Sequence, residues 1–277
     1  MCGRYALSKS PDEIIEEFEI TTGYAGPILP ADWNITPTRN IYIINAVPQR
    51  TQPSHQPSNN PENQLANQRL SHPINQSASR SSRHFRELSV ASWGLIAPWS
   101  KDRTSAVRSQ SQAINARSES VDEKPTFRHA FRRHRCLIPA DGYYEWATEL
   151  GKYPTKQPFY IHAKDSHMLA LAGIFDQWSD PEDPSTVITS AAIITRPAEG
   201  RLATIHHRMP TFLPRESWEE WLDPNLTDAS RARGLLSTVS STELLEADPV
   251  ATLVNSIRNN GPELTVPVQD IENQTLF

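Results

Sequence analysis

Apolar residues occur along this chain in short runs separated by turn-forming residues, a pattern typical of a β-rich protein. The runs that predict strands cover residues 4–7, 41–44, 88–91, 136–140, 158–163, 168–174 and 187–195. The last three lie close together in sequence and predict an antiparallel meander. Sheet structure is therefore expected to dominate the core.

Helices are predicted at fewer positions, and mostly by their caps. Ser10 can cap a helix that starts at Pro11, and Glu13 completes a capping box. Further helices are predicted over 127–135, 214–222 and 227–239. The polar stretch that contains Lys101, Arg103 and Arg108 is predicted to be a loop, and the polar tail from Asn255 to be loosely held.

Residues 48–84 differ in composition from the rest of the chain. Pro, Gln, Ser and Asn supply most of these positions. Such a segment cannot bury enough apolar surface to offset the entropy lost on ordering. We therefore predict a disordered insertion between two strands, within a single domain that covers residues 2–277.

Composition excludes several classes of protein. The 277 residues carry a formal net charge of -5, so any nucleic-acid-binding surface must be local. Two cysteines form no disulfide framework, which fits a reducing compartment. No apolar run approaches the roughly 18 residues of a membrane span, and no signal peptide is recognised. Neither metal-ligand spacing nor a glycine-rich phosphate loop is found, so we expect no metal and no cofactor.

Cys2 is the candidate reactive residue. Removal of Met1 would leave Cys2 with a free α-amine and a thiol on adjacent carbons, with ordinary pKa values near ~8 and ~8.5. Such a 1,2-aminothiol condenses with an aldehyde to an imine, and the thiolate then closes a thiazolidine ring. Position 2 alone favours an ordinary cysteine at a frayed terminus, and only the rest of the chain supports the reactive one.

Five separated motifs point to one family. They are Met-Cys-Gly-Arg at 1–4, Trp93-Gly94-Leu95 with Pro98-Trp99, Asn-Ala-Arg-Ser-Glu at 115–119, the stretch 136–146, and Ile-His-His-Arg-Met-Pro at 205–210. In this order they resemble the SRAP family, named for SOS-response-associated peptidases. The resemblance covers residues 2 to about 225 outside the insertion, together with Asn-Asn-Gly-Pro-Glu-Leu near the end of the chain.

The resemblance implies a fold and a function. It implies an α+β fold in which a predominantly antiparallel β-sheet forms a barrel-like core with surrounding helices. It also implies recognition of abasic sites in single-stranded DNA and a covalent bond to them through Cys2. The family's peptidase label would then reflect removal of Met1 from the chain itself, and a weak lyase activity is also expected.

Individual roles follow from the same resemblance. Cys2 is the expected nucleophile, with Asn115, Glu145 and His206 beside it. DNA-binding positions are expected at Arg4, Trp93, Arg117 and Arg208: Arg117 and Arg208 would hold backbone phosphates, and Trp93 would shape the DNA groove.

The residue types suit this chemistry. A carboxyl between aromatic residues, as at Glu145, has its pKa raised by desolvation, although an exposed strand acid remains the alternative. Asn115 can accept a hydrogen bond from the amine without protonating it. His206 titrates near ~6.5 and can serve as acid or base. The basic run from Arg128 to Arg135 is open to two interpretations, a solvated helix face or a phosphate track.

Three functions remain open at the level of sequence. The first is covalent capture of abasic single-stranded DNA, the second an N-terminal-nucleophile hydrolase, and the third a non-catalytic single-strand-binding module. For the first, the expected partner is single-stranded DNA with abasic sites, without a membrane partner. We expect a monomer, located in the nucleus if the source is eukaryotic and otherwise in the cytoplasm.

Overall fold

Two β-sheets position the candidate site in the computed structural model, which describes residues 2–48, 84–148, 150, 153–237 and 242–268. The predicted insertion falls almost wholly on residues 49–83, which lie outside this described part. The strands on its two sides are paired antiparallel, Pro48 opposite His84. Within the described residues, no helix has the length and apolar character needed to cross a membrane.

Five strands close into a barrel. They are β3 (Asn40–Pro48), β4 (His84–Trp93), β6 (Arg135–Ala140), β9 (Leu169–Ser179) and β10 (Val187–Pro197). Around the barrel the order is β10-β4-β3-β6-β9, and β9 pairs back to β10. Every neighbouring pair is antiparallel except β4 with β10. The predicted α+β fold with a mainly antiparallel, barrel-like core is confirmed.

A second, five-stranded sheet carries the N-terminus. Its strands are β1 (Tyr5–Leu7), β2 (Asp32–Ile35), β7 (Gly142–Ala147), β8 (Gln157–Ala163) and β12 (Leu245–Pro249), in the order β12-β8-β7-β1-β2. Of the predicted meander, only the β9–β10 hairpin is present. The strand at 158–163 was assigned to the wrong sheet, because β7 and β12 occupy both of its edges. An apolar run predicts a strand but not its partners.

Two short strands flank the end of β10. They are β5 (Asn115–Arg117), which pairs with β10 in parallel, and β11 (Arg208–Pro210), which pairs antiparallel. Thr195 of β10 is therefore opposite Arg117 on one side and Pro210 on the other. This pairing brings two motifs that are about ninety residues apart in sequence to one end of the barrel.

The α-helices pack around the sheets. They are α1 (Pro11–Glu17), α2 (Arg103–Gln112), α3 (Pro125–Arg133), α4 (Leu202–Ile205), α5 (Trp218–Leu222) and α6 (Ala229–Leu235). The capping box predicted at Ser10 and Glu13 is present. The loop predicted around Lys101–Arg108 is wrong, because α2 begins there. Asp102 caps this helix by accepting a hydrogen bond from the Ser105 N–H at 2.7 Å. The sequence of the helix has no apolar stripe from which it could be predicted.

The C-terminal segment is anchored, at least as far as residue 268. Val254 and Leu264 are fully buried. The Asn34 side chain donates to the carbonyl oxygens of Ser256 and Asn259 at 3.0 and 2.8 Å. The prediction of a loosely held tail from Asn255 is therefore wrong for the described part. Hydrogen bonds from polar side chains hold this segment together with the buried Leu264, so its largely polar composition was misleading.

Candidate active site at the N-terminal cysteine

Cys2 lies three residues before the start of β1 and is fully buried. Its thiol is 4.0 Å from the carbonyl oxygen of Arg4. Burial raises the pKa of the thiol far above its ordinary value, and the negative charge of Glu145 adds to the effect. The thiol is therefore protonated at neutral pH, and a nearby base must take its proton before the sulfur can react.

Asn115 holds the backbone of Cys2. Its side-chain N–H donates to the Cys2 carbonyl oxygen at 2.7 Å. The other half of the amide, Oδ1, is buried and accepts no hydrogen bond from the described residues. Parallel pairing of β5 with β10 sets this position, with Asn115 opposite Ile193. The Asn115 amide thus fixes the backbone of Cys2 and keeps a free acceptor, Oδ1, beside it.

Glu145 is a buried carboxyl, only 4% exposed, so the alternative of an exposed strand acid is wrong. It lies on β7, which pairs with β1 from Tyr5 onwards, three residues after Cys2. Burial raises the pKa of Glu145 to about 7, as its aromatic neighbours in the sequence led us to expect. Near neutral pH this carboxyl is present in both protonation states. A group that both donates and accepts protons during a reaction needs this property.

His206 lies beside the same carboxyl. Its Nδ1 is 3.9 Å from Glu145 Oε1. The same nitrogen is 3.0 Å from the N–H of Arg208 and 3.1 Å from its carbonyl oxygen. The backbone of Arg208 therefore meets Nδ1 whether or not this nitrogen carries a proton. Burial lowers the pKa of His206, which favours the neutral ring at pH 7.

Arg208 is not an open phosphate ligand in this structure. It is 8% exposed, and its guanidinium pairs with both carboxylate oxygens of Glu119. It also donates to the carbonyl oxygen of Thr195 at 2.6 Å. The Arg208 side chain holds the end of β11 while its backbone meets His206. The partner, Glu119, lies 89 residues earlier in the chain and was not singled out from the sequence.

Arg117 and Arg4 differ in their accessibility. Arg117 is exposed and makes no side-chain hydrogen bond to the described residues, so its guanidinium is available to an anion. Arg4 is half-buried and donates to Asn34 Oδ1 at 2.6 Å and to the Val254 carbonyl oxygen at 2.8 Å. Its guanidinium also lies over the ring of Trp146. Arg4 thus fastens the C-terminal segment beside the site.

Trp93 cannot touch DNA from its position. It is fully buried, its indole N–H donates to the Ile114 carbonyl oxygen at 3.0 Å, and its ring packs edge-on against Tyr5. The expectation that Trp93 belongs to a DNA-contacting surface is therefore corrected. Trp93 packs against Tyr5 of β1 and binds the backbone of Ile114, the residue before β5. It can therefore shape a DNA groove only by positioning these two segments.

Trp99 is the exposed tryptophan of that motif, 56% accessible. It lines a groove of about 600 Å³ together with Lys101, Arg108 and Phe127. Sequence reasoning missed this surface, because two tryptophans in one motif look alike until burial separates them. An exposed indole beside basic side chains is a stacking platform of the kind that single-stranded nucleic acids use.

Comparisons with known proteins identify the family and several relatives of this chain. The family model described as SOS response associated peptidase (SRAP) matches residues 1–257. A Bacillus subtilis protein named abasic site processing protein YoqW is 35% identical over 264 residues, which covers 95% of this chain and 98% of that protein. The Gallus gallus abasic site processing protein HMCES is 32% identical over 71% of this chain and 61% of its own length.

A solved structure shows the same fold. A protein from Bacteroides thetaiotaomicron superposes with a TM-score of 0.71 over 97% of this chain and 100% of that one, at 24% identity. At this level of identity the likeness concerns the fold alone.

Proposed function

This chain belongs to the SOS response associated peptidase family, and on that premise we propose that it captures abasic sites in single-stranded DNA as a covalent thiazolidine adduct of Cys2. Relatives named as abasic site processing proteins support the substrate class. The observation that carries the proposal is the convergence of Cys2, Asn115, Glu145 and His206 from four chain segments on one site.

The reaction needs three proton transfers. The Cys2 amine, freed by removal of Met1, adds to the open aldehyde of the abasic sugar to form a carbinolamine. Loss of water then leaves an imine, and the thiol sulfur adds to the imine carbon while its proton ends on the ring nitrogen. Aldehyde and aminothiol thus give one thiazolidine and one water. No oxidant or cofactor is consumed.

Glu145 is suited to the proton transfers at the aminothiol. Its pKa of about 7 lets it protonate the departing hydroxyl of the carbinolamine and then accept the thiol proton. The need for a base is explicit, because burial keeps the Cys2 thiol protonated. His206, neutral at pH 7, is assigned to the sugar: it donates to the ring oxygen as the closed hemiacetal opens. In a slower lyase step it would accept the C2′ proton.

Binding to a single strand is supported by local features rather than by net charge. Arg117 offers an exposed guanidinium one residue beyond Ala116, next to the site. Trp99, with Lys101 and Arg108, offers a surface on which a base can stack near a phosphate. An abasic strand lacks one base from its stack, so it bends at low cost into a site of this kind.

The test is a denaturing gel with two oligonucleotides of equal length. One carries an abasic site, and the other carries a tetrahydrofuran analogue that has no aldehyde. Wild-type protein should form a heat-stable adduct with the first only. Its mass should equal that of the protein without Met1 plus the oligonucleotide minus one water. Cys136→Ala is the matched control, since Cys136 is the second buried cysteine, and it should crosslink like wild type.

Cys2→Ala should lose the heat-stable adduct, because an imine that cannot close a ring hydrolyses. A stable adduct of wild-type yield from Cys2→Ala or Cys2→Ser, or one on the tetrahydrofuran strand, would refute the thiazolidine. Cys2-dependent turnover of peptides without a DNA adduct would instead favour the N-terminal-nucleophile hydrolase. Equal retention of intact and abasic strands without any adduct would favour a non-catalytic binding module.

A further inference from the structure

Three potential metal ligands meet where helix α3 packs against strand β9, outside the site described above. They are His129 in α3, His134 directly after it, and Asp176 in β9. One donor atom from each lies within 4.8 Å of the other two. His129 Nδ1 is 3.2 Å from Asp176 Oδ2, and His134 Nδ1 is 3.2 Å from Asp176 Oδ1.

The two distances of 3.2 Å are close to the separation of neighbouring ligand atoms around a bound metal ion. In a tetrahedral zinc site, with ligand atoms about 2.0–2.2 Å from the ion, neighbouring donors are about 3.3 Å apart. Two imidazoles and one carboxylate are also donors that borderline divalent ions accept. Three such ligands leave a fourth position for water.

His134 supplies the independent observation. Its Nδ1 is buried and makes no hydrogen bond of acceptable geometry, although Asp176 Oδ1 is within ion-pair distance. His129 Nδ1 makes a hydrogen bond to Asp176 Oδ2, whereas His134 Nδ1 faces Asp176 Oδ1 without hydrogen-bond geometry, so this nitrogen can take a ligand.

A second cluster of the same type lacks this feature. His162 lies beside Glu246 and Asp248 on β8 and β12. Both ring nitrogens of His162 already face acceptors, the Ala163 carbonyl oxygen and Asp248 Oδ2, each at 3.0 Å. The protein itself satisfies this imidazole, so the cluster serves as a control rather than as a site.

We propose that His129, His134 and Asp176 form a binding site for a divalent transition metal of the zinc type. The ion links α3 to the barrel at β9 and completes its coordination with water. The spacing of these ligands in sequence has no recognisable metal signature, which explains why the sequence predicted none. The exposed arginines of α3, Arg128, Arg132 and Arg133, add positive charge that weakens cation binding, so the affinity is to be measured at physiological salt.

The test is a zinc titration by calorimetry on full-length, untagged Cys2→Ala protein, in which the reactive thiol cannot compete for the ion. One equivalent of zinc should bind, and cobalt should give the absorption bands of a tetrahedral site. Zinc should also raise the melting temperature. His134→Gln and Asp176→Asn should each abolish the binding and the thermal shift, whereas His162→Gln should preserve both.

The same His134 and Asp176 substitutions in the Cys2-intact chain should leave adduct formation at its wild-type rate, which shows that the variants fold. Zinc binding that persists in His134→Gln and Asp176→Asn, or that is lost in His162→Gln, overturns the assignment. So does the absence of saturable binding to the parent protein. Loss of adduct formation by wild type would count against the proposed function but not against this site.

Discussion

Replacing Glu145 with Gln separates the chemical role of this carboxyl from its effect on stability. Gln has nearly the same shape and polarity, but it neither ionises nor transfers a proton. Glu145 is almost completely buried, so burial sets the pKa of the group that the substitution removes. We expect the variant to be more stable than wild type at alkaline pH and much slower in forming the adduct.

The expected stability gain follows from the pKa values. Burial raises the pKa of Glu145 to about 7 from its ordinary 4.5, so the folded state binds this proton more tightly than the unfolded state. The contribution to stability is complete below pH 4.5 and is lost as the pH rises through about 7. A difference of about 2.5 in pKa corresponds to about 3 kcal/mol. Glu145→Gln should therefore match wild type near pH 4.5 and exceed it by about 3 kcal/mol above pH 8.

The assay is urea unfolding followed by tryptophan fluorescence at several values between pH 4.5 and 8.5, with the m-value checked for constancy. Glu119→Gln is the control with the opposite sign. Its pairing with Arg208 lowers the pKa of Glu119 to about 2, so its stabilising contribution is present at neutral pH and is lost on acidification below about 4.5. Glu119→Gln should thus be destabilised by a nearly constant amount from pH 8.5 down to 4.5, and the difference should shrink only when the series is extended towards pH 2.

The kinetic part of the test measures the single-turnover crosslinking rate as a function of DNA concentration. Loss of a general acid–base group should reduce the saturating rate by about 10²–10⁴-fold with the half-saturating DNA concentration nearly unchanged. A pH-independent stability difference would refute the raised pKa. Weaker DNA binding with a preserved saturating rate would show that Glu145 is structural.

Three further substitutions test the site and the binding surface, and the replacement of one segment tests the insertion. Arg117→Ala should weaken binding to any single strand and should reduce the salt dependence of binding by the equivalent of about one phosphate contact. Arg208→Ala should instead lower the melting temperature and the saturating rate of crosslinking. Equal salt slopes for wild type and Arg117→Ala would contradict the assignment of Arg117 to phosphate binding. Trp99→Ala should cost about 1–3 kcal/mol of affinity if one base stacks on it, and an unchanged dissociation constant in fluorescence anisotropy would exclude the platform. Replacement of residues 49–83 by a short Gly/Ser linker should preserve the crosslinking rate and the melting temperature, because closure entropy changes slowly with loop length; a large loss of either would show that the segment packs against the fold.

Local patterns predicted local structure well in this chain. The capping box at Ser10 and Glu13 and most of the strands were predicted correctly, because both depend on neighbouring residues. Helix α2 was missed because only Ala106 and Gln110 are buried on it, so it shows no apolar face. The order of strands in the two sheets was partly wrong, since an apolar run carries no information about which edge it will join.

The candidate site divides in the same way. The sequence by itself determined which groups could react, since a thiol, a carboxyl, an amide and an imidazole have their chemistry wherever they lie. Only the tertiary structure decided that Glu145 is buried with a pKa of about 7 and that Arg208 is paired with Glu119. It also decided that Trp93 is buried while Trp99 is exposed. These properties depend on desolvation and on partners far away in the chain, and no local spacing of residues records either.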